Sequence, residues 1–114
     1  YLQKGTYGGH TFFSEKTFND FNTCYFCAEG NRRALGFDKQ QLPGTQGPTC
    51  GCVSAASFGH TGFTGTYAWA DPETEIVYIF LSNRTFPDAS APNALSKNNI
   101  REDIQRIIQE AIVK

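Results

Sequence analysis

Residues 58–66 read Phe-Gly-His-Thr-Gly-Phe-Thr-Gly-Thr, and Trp69 and Asp71-Pro72 follow before the most apolar run in the chain, Ile76-Val77-Tyr78-Ile79-Phe80-Leu81. In Asp71-Pro72-Glu73-Thr74 the proline presets φ at the second turn position and aspartate suits the first, so a hairpin is predicted with arms over 65–70 and 75–82. Along the second arm Ile76, Tyr78 and Phe80 point one way and Val77, Ile79 and Leu81 the other. An arm apolar on both faces is expected to be covered on both sides and central in its sheet.

The first arm poses a different problem. Gly59, Gly62 and Gly65 recur every third residue, whereas strand faces alternate every second, so the glycines form no single bare stripe. They permit close approach of a backbone or a ligand, at a cost in strand stability. Thr61, Thr64 and Thr66 add hydroxyls, and His60 adds a side chain whose charge can change near neutral pH. Two readings follow: a polar, glycine-lined ligand wall, or a glycine-rich strand edge carrying a structural histidine.

Working outward, Tyr1–Lys4 is helix-compatible and reads as the tail of an upstream helix, ended by Gly5, Gly8 and Gly9. His10–Phe13 reads as a short extended piece. Ser14 can N-cap a helix over 15–23, with Phe18 and Phe21 on one face. Residues 24–30 are irregular, Arg33–Phe37 reads as a strand, and 40–57, rich in Gly, Pro, Gln, Thr and Ser, reads as a long surface loop. After a second loop over 83–99, Ile100, Ile104, Ile107, Ile108, Ala111 and Ile112 make one helical stripe over 100–114. Asn98 or Asn99 can cap that helix, and Glu102 and Asp103 suit its first turn. The predicted fold is α+β, a single domain over 1–114. Its antiparallel sheet is built from 33–37, 57–61 running on to 70, and 75–82, with the C-terminal helix packed on one face.

Composition supports one modest core. The chain has 114 residues, 39% hydrophobic and 14% aromatic, including ten phenylalanines, which is too apolar for a disordered tail. Ten basic against eleven acidic residues give a net charge of −1, with no basic stripe, which argues against nucleic acid as a partner. No apolar run approaches the ~20 residues a spanning helix needs, so no transmembrane segment is expected. The chain opens Tyr1-Leu2-Gln3-Lys4 without methionine or signal-peptide character, and reads as a piece of a longer chain.

Cys24-x-x-Cys27 and Cys50-x-Cys52 place four cysteines in two close pairs. A zinc site formed by Cys24, Cys27, Cys50 and Cys52 is the weaker alternative, because Cys-x-Cys is a poorer knuckle than a second Cys-x-x-Cys. Free thiols are expected ahead of a disulfide across the two loops, and no cofactor is expected. His10 reads as an exposed turn residue, and Asp71 and Glu73 as turn residues.

The block 58–66 with Trp69, Asp71-Pro72, the apolar strand, and Leu81-Ser82-Asn83-Arg84 with Pro87 closely resembles the C-terminal part of the serine β-lactamase and penicillin-binding-protein superfamily. The resemblance is to its class C-like, esterase-like "β-lactamase-related" branch, whose third motif, usually Lys-Thr-Gly, is often His-Thr-Gly. Arg33-Ala34-Leu35-Gly36-Phe37 and the terminal helix sit in the order that family uses.

The resemblance implies that the strand is one wall of an acyl-serine site on β-lactam, D-Ala-type peptide or ester substrates. His60 would supply a basic or hydrogen-bonding group, Thr61 Oγ would bind a substrate carboxylate or carbonyl, and Gly62 would let substrate lie against the strand. The Phe63 N–H would be one oxyanion-hole donor. The family's nucleophile motif Ser-x-x-Lys finds no match, and its second motif, Tyr-x-Asn or Ser-x-Asn, is read as missing too, so catalytic residues are expected to lie elsewhere and the chain to be inert alone.

Tyr67 departs from the small residue expected there. The resemblance further implies a bacterial, periplasmic or exported parent whose N-terminal strands complete the sheet beside 75–82. The edge of that strand is then open to self-association. The alternative function is a non-enzymatic α+β binding or accessory module, stapled by its four cysteines, whose glycine-rich strand binds a peptide or nothing.

Overall fold

The computed structural model describes residues 1–112 and has an α+β fold. A two-stranded ribbon, β1 (Thr6–Tyr7) and β2 (His10–Thr11), precedes helix α1 (Glu15–Asn22), and a single 3-10 turn spans Cys27–Glu29. Strands β3 (Phe58–Thr61), β4 (Tyr67–Asp71) and β5 (Ile76–Phe80) form an antiparallel sheet in that order. A short helix α2 (Ala94–Lys97) and the terminal helix α3 (Ile100–Glu110) complete the fold.

The hairpin forms where the turn residues place it. Asp71 Oδ1 accepts from the Glu73 N–H at 3.1 Å, and its carboxylate also takes the Ser54 N–H at 2.8 Å and the Ser54 hydroxyl at 2.6 Å. Asp71 thus ties the 40–57 segment to the sheet as well as starting the turn. That segment is not the surface loop expected from its composition. It has no regular structure, yet Thr49, Cys50, Val53 and Ser57 are buried, and Cys50 and Val53 join the core.

Register assigns the two faces of the sheet. Tyr67, Trp69 and Tyr78 share one face, where they form a core cluster with Cys50 and Val53 under Ile108 of α3. Phe58 and Ala70 occupy the other face beneath Phe18 of α1, with Leu2, Phe13 and Phe37 around them. The Tyr1 ring stands 4.9 Å from those of Phe18 and Phe58. Ser14 caps α1 as its sequence predicts, accepting from the Thr17 N–H at 3.1 Å.

Five expectations are corrected. The stretch 57–70 is not one continuous strand: β3 ends at Thr61, the chain turns over Gly62–Thr66, and β4 runs back antiparallel to β3. Tyr1–Lys4 is a turn rather than a helix tail, closed by Lys4 N–H to Tyr1 O at 2.9 Å. Arg33–Phe37 is not a strand: Gly36 has φ +99° and the segment folds back on itself, so only Asp38 bridges to Gly59 at the β3 edge. The β5 strand is an edge strand, not a central one, and its second face is open, with Val77 55% and Ile79 61% exposed. In α3 the buried side chains are Arg101 and Gln105, while Ile104 and Ile107 face outward and Asn99 makes no side-chain cap. The predicted extension of this helix to Val113 and Lys114 lies outside the described residues.

The cysteines are also paired differently from the expectation of free thiols or one bridge between loops. Cys24 bonds Cys27, and Cys50 bonds Cys52. Disulfide sulfurs do not serve as thiolate ligands, and among the described residues no group of His, Cys, Asp or Glu is arranged to hold a metal ion. No helix among those residues is long and apolar enough to cross a membrane.

Two predictions follow from this packing. The uncharged β5 edge lacks the charge or proline that blunts edges, so the isolated chain should pair with a second copy through it. Sedimentation should show concentration-dependent dimer, and Ile79→Lys should restore monomer; a wild-type monomer at high concentration would contradict this.

The second concerns Lys39, whose ammonium is held by Asn22 Oδ1 at 2.8 Å and Ala56 O at 3.2 Å. Burial pushes its pKa down from 10.5 to about 8, against the attraction of Asp71. Between those values the unfolded chain keeps a proton that the folded one has released, so stability should rise with pH from about 8 toward 10. Above ~10 the trend reverses, because burial raises the pKa of Tyr67, Tyr78 and Tyr1 and the unfolded chain ionises first. Urea midpoints measured across this range should lose the rise in Lys39→Met; persistence of the rise in that variant would show that another group causes it.

Candidate functional site

Residues His60–Phe63 occupy the end of β3 and the turn that follows it. Gly62 N–H donates to Thr66 O at 2.7 Å and Gly65 N–H to Gly62 O at 2.9 Å, closing a turn with Phe63 and Thr64 at its centre. The N–H of the second residue of such a turn has no role in the turn's own bonding. Among the described residues the Phe63 amide meets no backbone carbonyl, and its side chain is 74% exposed.

Three contacts hold this turn from the far side. The Arg84 N–H donates to Thr64 O at 2.9 Å, the Ser82 hydroxyl donates to the same oxygen at 3.2 Å, and the Arg84 guanidinium lies 4.8 Å from the centre of the Phe63 ring. Arg101 of α3 reaches Gly65 O at 3.4 Å. Ser82-Asn83-Arg84 therefore supports the turn, a role that sequence reasoning did not assign; its only trace was that the two stretches recur together in the resemblance.

The glycines answer mainly to the protein's own packing. A Cβ on Gly59 would strike Ala68 O and the Trp69 ring, so the indole sits directly over that α-carbon. Gly65 has φ +89°, and a Cβ there would come 2.6 Å from Ser82 Oγ. At Gly62 a Cβ would run into Thr66 Oγ1, inside the turn.

His60 lies on the sheet face opposite α3, opposite Ala68 and in line with Ile79. Its Nε2 is 2.9 Å from Arg33 Nη1 and its Nδ1 is 2.7 Å from Thr61 O. Arg33 in turn pairs with the buried carboxylate of Asp38 at 2.9 Å, and Arg32 pairs with the same carboxylate at 3.1 Å. Beside His60 a shallow hollow of about 150 Å³ is lined by Phe37, Phe58, Ala68, Ala70 and Val77. The hollow and the Phe63 turn give the strand two accessible flanks, one apolar and one presenting a free amide.

Tyr67, the departure from the expected small residue, points away from His60. It stacks on Trp69 at 5.6 Å and an interplanar angle of 10°, and its hydroxyl donates to Gln105 Oε1 at 3.1 Å. The same oxygen accepts from the Cys50 N–H at 3.0 Å. Burial pushes the Tyr67 pKa up, so the phenol stays protonated and serves as a donor. Its bulk therefore goes into the seam with α3.

Ser96-Lys97-Asn98 has the Ser-x-Asn spacing, which corrects the reading that this form of the second motif is missing. It lies in α2, where the Ser96 hydroxyl is engaged by Asn93 Nδ2 at 2.9 Å and Arg101 Nη2 at 3.4 Å. Those contacts make it part of helix capping rather than a second catalytic element.

No curated protein matches this chain. A protein-family model described as Beta-lactamase matches residues 14–98, which run from the α1 cap through the glycine-rich strand, the hairpin and the supporting Ser82-Asn83-Arg84 to α2. That match spans most of the chain, including β3, the Phe63 turn and the sheet: the chain belongs to the Beta-lactamase family.

Proposed function

We propose that residues His60–Phe63 form one wall of an acyl-serine hydrolase site acting on β-lactam, D-Ala-type peptide or ester substrates. The observation that carries this reading is the Phe63 amide, which belongs to a largely exposed residue at a pinned turn and is free of any backbone acceptor among the described residues. A fixed, unpaired N–H is what stabilises a developing oxyanion, because the donor needs no reorganisation as charge appears. Thr61 Oγ lies two residues away to bind a substrate carboxylate or carbonyl, and Gly62 leaves the strand low between them. The His-Thr-Gly form of the motif favours the class C-like, esterase-like branch.

The activated serine, its lysine and the Tyr-x-Asn element lie outside these 114 residues in this reading, as does the rest of the domain that covers the open face of the sheet. The chain alone then forms no acyl-enzyme. Two disulfides suit an exported parent, since such bonds persist in oxidising compartments.

The test uses the chain alone and the same chain joined to a segment carrying Ser-x-x-Lys. A fluorophosphonate probe should leave the chain alone unlabelled and label the joined protein, which should also hydrolyse a chromogenic cephalosporin or a nitrophenyl ester. In the joined protein Thr61→Ala should lower kcat/KM roughly 10- to 100-fold, the ~1.5–3 kcal/mol of a hydrogen bond to a charged group. Labelling of the chain alone, or a joined protein indifferent to Thr61→Ala, would overturn the reading.

A further inference from the structure

The segment that fails to become a strand, 33–38, brings a charged device to the wall. Asp38 exchanges two backbone hydrogen bonds with Gly59, N–H to O at 2.8 Å and O to N–H at 3.0 Å, so the residue beside His60 is clamped at the sheet edge. The Asp38 carboxylate is buried between two guanidiniums, with Oδ2 3.1 Å from Arg32 Nη1 and Oδ1 2.9 Å from Arg33 Nη1. Arg32 also donates to Lys39 O at 3.3 Å, which leaves it committed to this turn. Arg33 is half exposed, and its Nη1 reaches onward to His60 Nε2 at 2.9 Å.

The chemistry of the two partners sets the state of the imidazole. A guanidinium only donates and keeps its protons throughout the accessible pH range, so Nε2 must present its lone pair. A backbone carbonyl only accepts, so Nδ1, 2.7 Å from Thr61 O, must carry the proton. Both ring nitrogens are committed at once, and the ring is neutral with its plane fixed between two elements.

We infer that Arg33, oriented by Asp38, is a positioning residue that holds His60 as the neutral Nδ1–H tautomer. Resting on the wall reading above, this assigns His60 the hydrogen-bonding role rather than the basic one: the nitrogen a base would use is taken by a cation. Neutralising Asp38 alone would not require this, because Arg32 already pairs with that carboxylate and a contact to His60 adds nothing to it.

The test is the ring nitrogen spectrum of His60 in the ¹⁵N-labelled chain at neutral pH, from multiple-bond proton–nitrogen correlations. The expected result is a protonated nitrogen at Nδ1 and an unprotonated one at Nε2. Arg33→Ala should lose that pattern, giving the averaged or Nε2–H pattern of a free imidazole, and Arg33→Lys, which keeps a cationic donor, should recover part of it. The Asp38 and Gly59 amide signals report whether the edge pairing survives; should Arg33→Ala disturb them, Arg33→Gln, closer in shape, is read instead and should weaken the pattern. A wild-type Nε2–H tautomer, or a spectrum indifferent to these replacements with the edge pairing intact, would overturn the inference. The ring spectrum needs no nucleophile and no substrate, so this inference and the hydrolase reading fail separately.

Discussion

The indole of Trp69 sits over the bare α-carbon of Gly59, and the rest of the structure is arranged around that contact. Any side chain at 59 would push the ring off the strand. With the ring seated, Tyr67 stacks on it, Tyr78 closes from β5, and the Tyr67 hydroxyl bonds Gln105, which seats α3. Gly59 also exchanges backbone bonds with Asp38, so one residue joins the sheet, the helix-side core and the turn that reaches His60. A glycine that weakens its own strand is thereby the point where three parts of the fold meet.

The same economy extends to His60–Phe63. The Phe63 turn is not held by its own residues alone: Ser82, Arg84 and Arg101 grip it through carbonyl oxygens and leave the Phe63 amide unengaged. His60 is held from the other side by Arg33. Supports from distant parts of the chain thus converge on His60–Phe63, where the Phe63 amide meets no backbone carbonyl among the described residues.

Much of this was legible in the sequence. The Asp71-Pro72 turn and the Ser14 cap are local signals, and local chemistry decides them; the glycine-rich stretch, read as one strand to 70, instead turns at Gly62–Thr66 because two of its three glycines serve that turn. The β5 misplacement has a plain cause: alternation describes a strand's own two faces and says nothing of its neighbours. Of the α3 stripe Ile108 packs on the core while Ile104 and Ile107 face outward, because Arg101 and Gln105 bury their long stems and find polar partners at Gly65, Cys50 and Tyr67. Cysteine spacing could not separate zinc, thiol and disulfide states. The Asp38–Arg33–His60 chain was invisible because its members come from separate segments and meet only through the Gly59 bridge. The glycine periodicity, read as room for a ligand, proved in part to be room for Trp69 and Thr66.

The central claim is that the Phe63 amide is held in place yet left without a partner. Residue-resolved amide hydrogen exchange on the chain measures this directly. Gly62 and Gly65, bonded across the turn, should be protected together with Arg84, while Phe63 between them exchanges at close to the rate of an open amide. Protection of Phe63 equal to that of its neighbours would mean that the amide already has an acceptor, and the strand would then be a structural edge rather than a wall.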